Sequence, residues 1–262
     1  MDILTISEVQ ELLRAADSLY AHGWAERNGG NVSMLIIPAY EPDFYVQRSF
    51  PLTIQVPGNM AGQLLLITGT GKYLKNVSRA PESSLGLLRI REDKAELLWG
   101  LSDGGAPSSE LAAHILSHSV RLNADPEHRV VLHTHATNAI AMSAVHSADE
   151  REFTLTLWRQ CTEALMFLFD GVGVLPWLPC GTDEIGRLTA EKLTNRRSVL
   201  WTRHGVFGTG KTPDEALGLV EIIDKAAEIY MKTAHLPLQN EISDEQLSEM
   251  AAILQIAPRY PL

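Results

Sequence analysis

Arg129-Val-Val-Leu-His-Thr-His135 is the stretch whose reading organises the rest of the chain. A short apolar run ending in His-x-His reads as a buried strand, and alternate residues of an extended segment face the same side. His133 and His135 are therefore expected to present two imidazoles to one point. A third candidate, His204, follows a second strand-like run over 198–203 and precedes a glycine-rich segment. Three protein ligands with an open position are the pattern of catalytic zinc, whereas structural sites close their coordination with Cys and His. The same spacing also fits two polar side chains on a half-buried strand, and spacing alone leaves both readings open.

Strand-like and helix-like segments alternate on either side of this stretch. Residues 7–21 carry apolar positions at helical spacing, with Ser7 as N-cap and Gly23 as the stop. Glu26-Arg-Asn-Gly-Gly-Asn31 reads as a glycine turn entering a strand over 32–37. The segment 38–62, with four prolines, reads as a loop or irregular hairpin. Strands are expected over 64–68, 85–90 and 95–99, the last two joined by the charged turn Arg91-Glu-Asp-Lys94. Helices are expected over 108–121, 138–146, 183–193, 213–232 and 243–254. This alternation predicts a single α/β domain over 1–262, with a mixed sheet covered by helices.

Composition excludes several classes of partner. Twenty-two Lys and Arg against 32 Asp and Glu give a net charge of −10, so the chain carries no overall basic footprint for nucleic acid or acidic lipid. The longest apolar runs, 64–67 and 164–169, are far too short to span a bilayer. Cys161 and Cys180 make neither a disulfide framework nor a zinc pair, and Met1-Asp-Ile-Leu-Thr5 lacks the basic start of a secretory leader. A reducing cytoplasm is the expected location.

Two motifs compete with the histidine reading. Gly205-Val-Phe-Gly-Thr-Gly-Lys-Thr212 satisfies the phosphate-loop pattern G-x-x-x-x-G-K-T, and Phe167-Leu-Phe-Asp170, which closes the strand-like apolar run 164–169, supplies an Asp that suits magnesium. A P-loop nucleotide-binding protein needs several strands after that loop, yet only about two helices' worth of chain follows Thr212. The expectation is instead a glycine turn between the strand ending at His204 and a helix capped near Thr212. Glu110, His114 and His118 recur every four residues on one helical face, but no acid lies between the histidines as in H-E-x-x-H. His114 and His118 are expected to be hydrogen-bonded helix residues. Position alone makes Glu110 a capping carboxylate in the first turn of its helix.

Three clusters suit an anion: Asn28-Gly-Gly-Asn31, Thr68-Gly-Thr-Gly-Lys72 and Ser108-Ser109. Glycine lets backbone N–H groups approach a phosphate closely, and a helix start adds a favourable dipole. Each loop alone reads equally well as a bend. Together with three histidines they describe a site for a small phosphorylated substrate.

The set Glu26-Arg-Asn-Gly-Gly-Asn31, Thr68-Gly-Thr-Gly-Lys72, Pro107-Ser-Ser-Glu110, His133-Thr-His135 and His204-Gly-Val-Phe-Gly208 resembles the zinc-dependent class II sugar-phosphate aldolases. The similarity runs nearly from Leu12 to Tyr230 and includes Trp99-Gly-Leu-Ser and Pro176-Trp-Leu-Pro-Cys-Gly-Thr-Asp183. It departs in 38–62 and after His235, and Thr70 stands where the family has serine, keeping the hydroxyl. The resemblance implies a mixed, largely antiparallel sheet between helical layers, with Zn2+ on His133, His135 and His204. It assigns Glu110 as catalytic base and places Asn28, Gly30, Asn31, Thr70, Gly71, Ser108 and Ser109 around the substrate phosphate. It matches Glu163 to a glutamate that acts in a neighbouring subunit's site, which implies a homo-oligomer, a cyclic tetramer in the family. Sister epimerases and a dehydratase on the same fold are the rival activities.

Overall fold

The computed structural model describes residues 3–36 and 44–262. Helix α1 (Ser7–Ala21) buries Val9, Leu12, Leu13, Ala16 and Leu19 along one stripe. It stops as expected at Gly23, whose φ of +76° a residue with a Cβ adopts only under strain. Ser7 is not the cap. Ile6 occupies that position, and the Ser7 hydroxyl donates to Glu8 Oε2 at 2.7 Å.

The strands are β1 (Asn31–Ile36), β2 (Arg48–Pro51), β3 (Leu64–Thr68), β4 (Leu85–Ile90), β5 (Lys94–Gly100), β6 (Val130–Thr134), β7 (Val172–Leu175), β8 (Ser198–Trp201) and β9 (Gly205–Gly210). Among the described residues they form one nine-stranded sheet in the order β2-β5-β4-β3-β1-β6-β9-β8-β7. Every neighbouring pair is antiparallel except β7 with β8, so the expected mixed, largely antiparallel sheet is present. The central strands are buried on both faces and read as continuous apolar runs, which is why 64–68 was legible as a strand from composition alone.

Helices α2 (Pro81–Ser84), α3 (Leu111–Ala124), α4 (Thr137–Val145), α5 (Glu150–Trp158), α6 (Thr162–Phe167), α7 (Asp183–Leu193), α8 (Pro213–Thr233) and α9 (Asp244–Leu254) complete the chain. Val32, Met34, Leu66 and Leu132 point to one face of the sheet, into a core shared with α1, α4, α5, α6, α8 and α9. Leu35, Leu65 and Ile67 on the central strands, and Val131, Val199 and Phe207 further along the sheet, point to the other, where α3 and α7 lie. The sheet is thus sandwiched between helical layers, and the site lies on the α3 face. Among the described residues no helix is long and apolar enough to cross a membrane.

Four expectations need correction. Residues 205–210 are not a glycine turn: they are strand β9, laddered between β6 and β8. The glycines serve helix packing, because a Cβ on Gly208 would stand 2.4 Å from Ala216 O and one on Gly210 would stand 2.8 Å from Ala216 N. Lys211, which a phosphate loop would aim at an anion, pairs with Glu127 at 2.5 Å, and Thr212 caps α8. The apolar run 164–169 is not a strand; most of it lies in helix α6, and Asp170 is held by Arg197 at 2.9 Å rather than free for a metal. The proline-rich 38–62 includes the edge strand β2, although 38–43 lie outside the described residues, as does the expected last strand residue, Ile37. The helix expected from Ser108 begins at Leu111.

Candidate metal centre and its surroundings

His133 lies on β6 directly opposite Asn31 of β1 on one side and Phe207 of β9 on the other. This register puts its ring on the α3 face, packed against Trp201 and Phe207 at centroid distances of 4.9 and 4.7 Å. The residue is 1 % exposed, and among the described residues neither ring nitrogen has a hydrogen-bond partner. Burial, then the neighbouring His204 and His135, hold its pKa well below the ordinary histidine range.

His135 follows the end of β6, anchored by its backbone N–H donating to Trp24 O at 3.0 Å. His204 comes from the three-residue turn between β8 and β9, in which Arg203 takes a φ of +64°. That strained turn is pinned by the Arg203 N–H donating to Ser143 Oγ at 2.9 Å. Burial pushes the His204 pKa down to about 4. One nitrogen from each of His133, His135 and His204 lies within 4.8 Å of the other two. A buried polar atom without a partner costs on the order of 1–3 kcal/mol, and a divalent cation shared with His135 and His204 would take one of the two His133 nitrogens and remove that part of the cost. Three imidazole nitrogens grouped this closely fit such an ion.

Glycines permit this crowding. A Cβ on Gly29 would fall 2.7 Å from His135 Cε1, and one on Gly205 would fall 2.8 Å from His133 Cε1 and 2.4 Å from Thr134 O. Glu26, quoted in a sequence motif but given no role there, accepts from His135 Nδ1 at 2.7 Å. This contact leaves His135 Nε2 as the nitrogen facing its partners, the arrangement by which carboxylates orient metal-binding histidines.

Glu110 is buried at the mouth of α3. It occupies the N-cap position, but its side chain makes no capping bond, against the sequence expectation. Instead Asn31 Nδ2 donates to Glu110 Oε2 at 2.9 Å. Burial raises the Glu110 pKa, offset in part by the Asn31 bond and by His135.

The three anion-binding candidates meet at one end of the β1–β3 pair. The Val32 N–H donates to Thr68 Oγ1 at 3.2 Å, the Ser108 N–H to Thr68 O at 3.0 Å and the Thr70 N–H to Ala106 O at 2.9 Å. Asn28, Thr70, Gly71 and Ser109 are exposed there, Gly30 is half-buried with φ +75°, and Ser108 and Asn31 are buried. Glu163 does not join this group; it is exposed in the first turn of α6, a helix packed on α5, α8 and α9.

Residues 10–231 match the family described as Class II Aldolase and Adducin N-terminal domain, and the chain belongs to it. The chain is 45% identical to a rhamnulose-1-phosphate aldolase of Enterococcus faecalis, over 99% of this chain and 95% of the relative. It is 41% identical to one of Yersinia pseudotuberculosis, over 98% and 96%. Among solved structures, a sugar-phosphate aldolase from Thermotoga maritima superposes with a TM-score of 0.77 at 29% identity, covering 88% of this chain and 96% of that one.

Proposed function

We propose that this chain is a metal-dependent aldehyde-lyase that reversibly splits L-rhamnulose 1-phosphate into dihydroxyacetone phosphate and L-lactaldehyde. The observation that carries the reading is His133, a buried histidine with both nitrogens unpartnered, grouped with His135 and His204 close to Glu110. Near-full-length identity to aldolases of that name supports the choice of substrate.

His133, His135 and His204 would hold the ion, which we infer to be Zn2+ from the all-imidazole donor set. A divalent cation there supplies Lewis-acid stabilisation of the negative charge that develops on the ketone side of the breaking carbon–carbon bond. The protein's own groups do the rest. Asn28, Gly30, Asn31, Thr70, Gly71, Ser108 and Ser109 bind the phosphate, Asn31 through the amide hydrogen not given to Glu110. This remote anchor fixes the reacting carbons without taking part in bond breaking. Glu110 delivers a proton to the carbon that becomes the hydroxymethyl group of dihydroxyacetone phosphate, and removes it in the synthetic direction. A carboxyl whose pKa is raised by burial suits this exchange. Glu163 handles the proton of the aldehyde oxygen in a neighbouring subunit, which makes the cytoplasmic enzyme a homo-oligomer, read here as a tetramer.

Product analysis tests the reading against its rivals. Cleavage releases dihydroxyacetone phosphate and free aldehyde; a 4-epimerase returns a rearranged ketose phosphate, and a dehydratase loses water without forming triose phosphate.

A further inference from the structure

Beneath Glu110, on the same sheet face, runs a column of buried polar groups that the proposed reaction does not use. Glu110 Oε2 meets Asn31 Nδ2 at 2.9 Å, and Asn31 Oδ1 meets His114 Nε2. Ser33 Oγ lies 2.6 Å from His114 Nδ1 and 2.8 Å from His118 Nε2, and His118 Nδ1 lies 2.9 Å from His128 Nε2. The segments come from β1, α3 and the 125–129 turn. Ser33, His114 and His118 are fully buried and His128 is 2 % exposed. A buried column of this kind costs more than apolar packing unless every member is satisfied, and here the contacts form one unbroken series.

The direction of every hydrogen follows from the Glu110 end. An ionised carboxylate only accepts, so Asn31 turns its N–H toward Glu110 and its Oδ1 toward His114. His114 Nε2 must then carry hydrogen. Burial holds His114 and His128 neutral, with pKa values near 3 in both, and holds His118 well below the ordinary range. A neutral His114 leaves Nδ1 bare, so the Ser33 hydroxyl donates to it. Ser33 Oγ accepts from His118 Nε2–H, whose bare Nδ1 accepts from His128 Nε2–H. No amide flip or tautomer is left free.

We propose that Ser33, His114, His118 and His128 form a positioning relay: a one-way hydrogen-bond chain that locks the Asn31 amide so that its N–H stays aimed at Glu110 Oε2. The locked amide commits Oε2 as an acceptor and leaves Oε1 as the oxygen that exchanges a proton with substrate. The four residues touch no reacting atom and act only through Asn31. This inference rests on Glu110 being the acid–base group of the proposed lyase.

Two measurements test it. Imidazole 15N spectra of the wild-type protein at neutral pH should show His114 and His118 both as Nε2–H tautomers. An Nδ1–H form at either would overturn the relay, since the reversed chain requires Glu110 to donate. The second is Ser33→Ala, which removes the link with little change in volume. It should lower kcat about tenfold, the size seen when partners orienting a functional group are removed. Because the Asn31 amide also holds the phosphate, KM for the sugar phosphate should rise by less than kcat falls, and the metal stoichiometry should be unchanged. A kcat within about twofold of wild type, a loss confined to KM, or a loss that tracks metal content would overturn it. The tautomer measurement needs no variant, so it decides the matter even where Ser33→Ala does not fold. A wild-type chain with the expected tautomers and no lyase activity would remove the functional reading and leave the bond chain intact.

Discussion

Two groups of three histidines lie on the α3 face of this sheet, and they are built in opposite ways. In the first, His114, His118 and His128 pair nitrogen to oxygen or nitrogen along a continuous column, joined by Ser33 and Asn31. In the second, His133, His135 and His204 lie close to one another with no hydrogen bonds between them, and both nitrogens of buried His133 have no partner. Burial is nearly complete for the whole first group and for His133. What separates the groups is satisfaction. A buried polar group is tolerated when it is bonded, so unpaired nitrogens held together by strained turns and glycines mark the place where something else binds. Clustering of histidines alone would have chosen both groups.

The sharpest way to break this contrast is to remove a member of the unsatisfied group. His204→Ala should lose bound metal and aldol cleavage together, by about a thousandfold in rate, since Lewis-acid stabilisation contributes several kcal/mol. Metal retained at full stoichiometry by elemental analysis would show that the ion is held elsewhere. Glu110→Gln should keep the metal while slowing proton exchange at the hydroxymethyl carbon of dihydroxyacetone phosphate by at least about a hundredfold. Unchanged exchange, followed by loss of deuterium label, would assign the base to another residue. Glu26→Gln weakens the acceptor that orients His135, and metal affinity measured by competition with a chelator should fall about tenfold.

The satisfied group makes a prediction about pH instead. His114 and His128 titrate near 3 in the folded chain against an ordinary 6.5. Between those values the unfolded chain binds protons that the folded chain refuses. Stability is therefore full above about pH 6.5 and falls by about 1.4 kcal/mol per pH unit for each histidine as the pH drops toward 3. Urea midpoints at pH 7 and pH 5 check this, and equal midpoints would mean that the column is protonated or open when folded. The smallest effect is expected at the phosphate-loop look-alike. Lys211→Ala loses only exposed ion pairs with Glu127 and Asp125 and should leave cleavage within about twofold of wild type.

Much of the architecture was legible because local signals and tertiary roles agree. The strand over 64–68 and the helix over 183–193 match the observed elements: a continuous apolar run forms the first, and in the folded chain Thr182 caps the second. Reading failed where a residue's role was set by a distant partner. The glycines of β9 look like a turn until α8 is seen lying against them. The run 164–169 looks like a strand because both of its ends are apolar, yet α6 buries only Ala164 and Leu165. Helix α5 carries a local signal as well, Asp149 ahead of Glu150 and Glu152, and in the structure the Asp149 side chain accepts from the Glu152 N–H.

The site divides in the same way. Strand-end spacing nominates the three histidines without excluding a plain polar strand, whereas Glu110 reads as a cap by position and gains its role only from the resemblance to the class II aldolases. The contacts of Glu26 and Asn31 could not be read from spacing. Glu26 reaches His135 across 109 residues and Asn31 reaches Glu110 across 79, and only the folded chain, with β1 beside β6 and α3 over the same face, brings these pairs together.

Release of dihydroxyacetone phosphate from L-rhamnulose 1-phosphate by metal-loaded protein, followed in a coupled assay before and after chelation, is the most direct test of the proposed activity. Stoichiometric triose phosphate that disappears with the metal and returns when it is restored is the predicted result. Triose phosphate formed at the same rate by the fully metal-free protein, or none formed by the loaded protein, would contradict it.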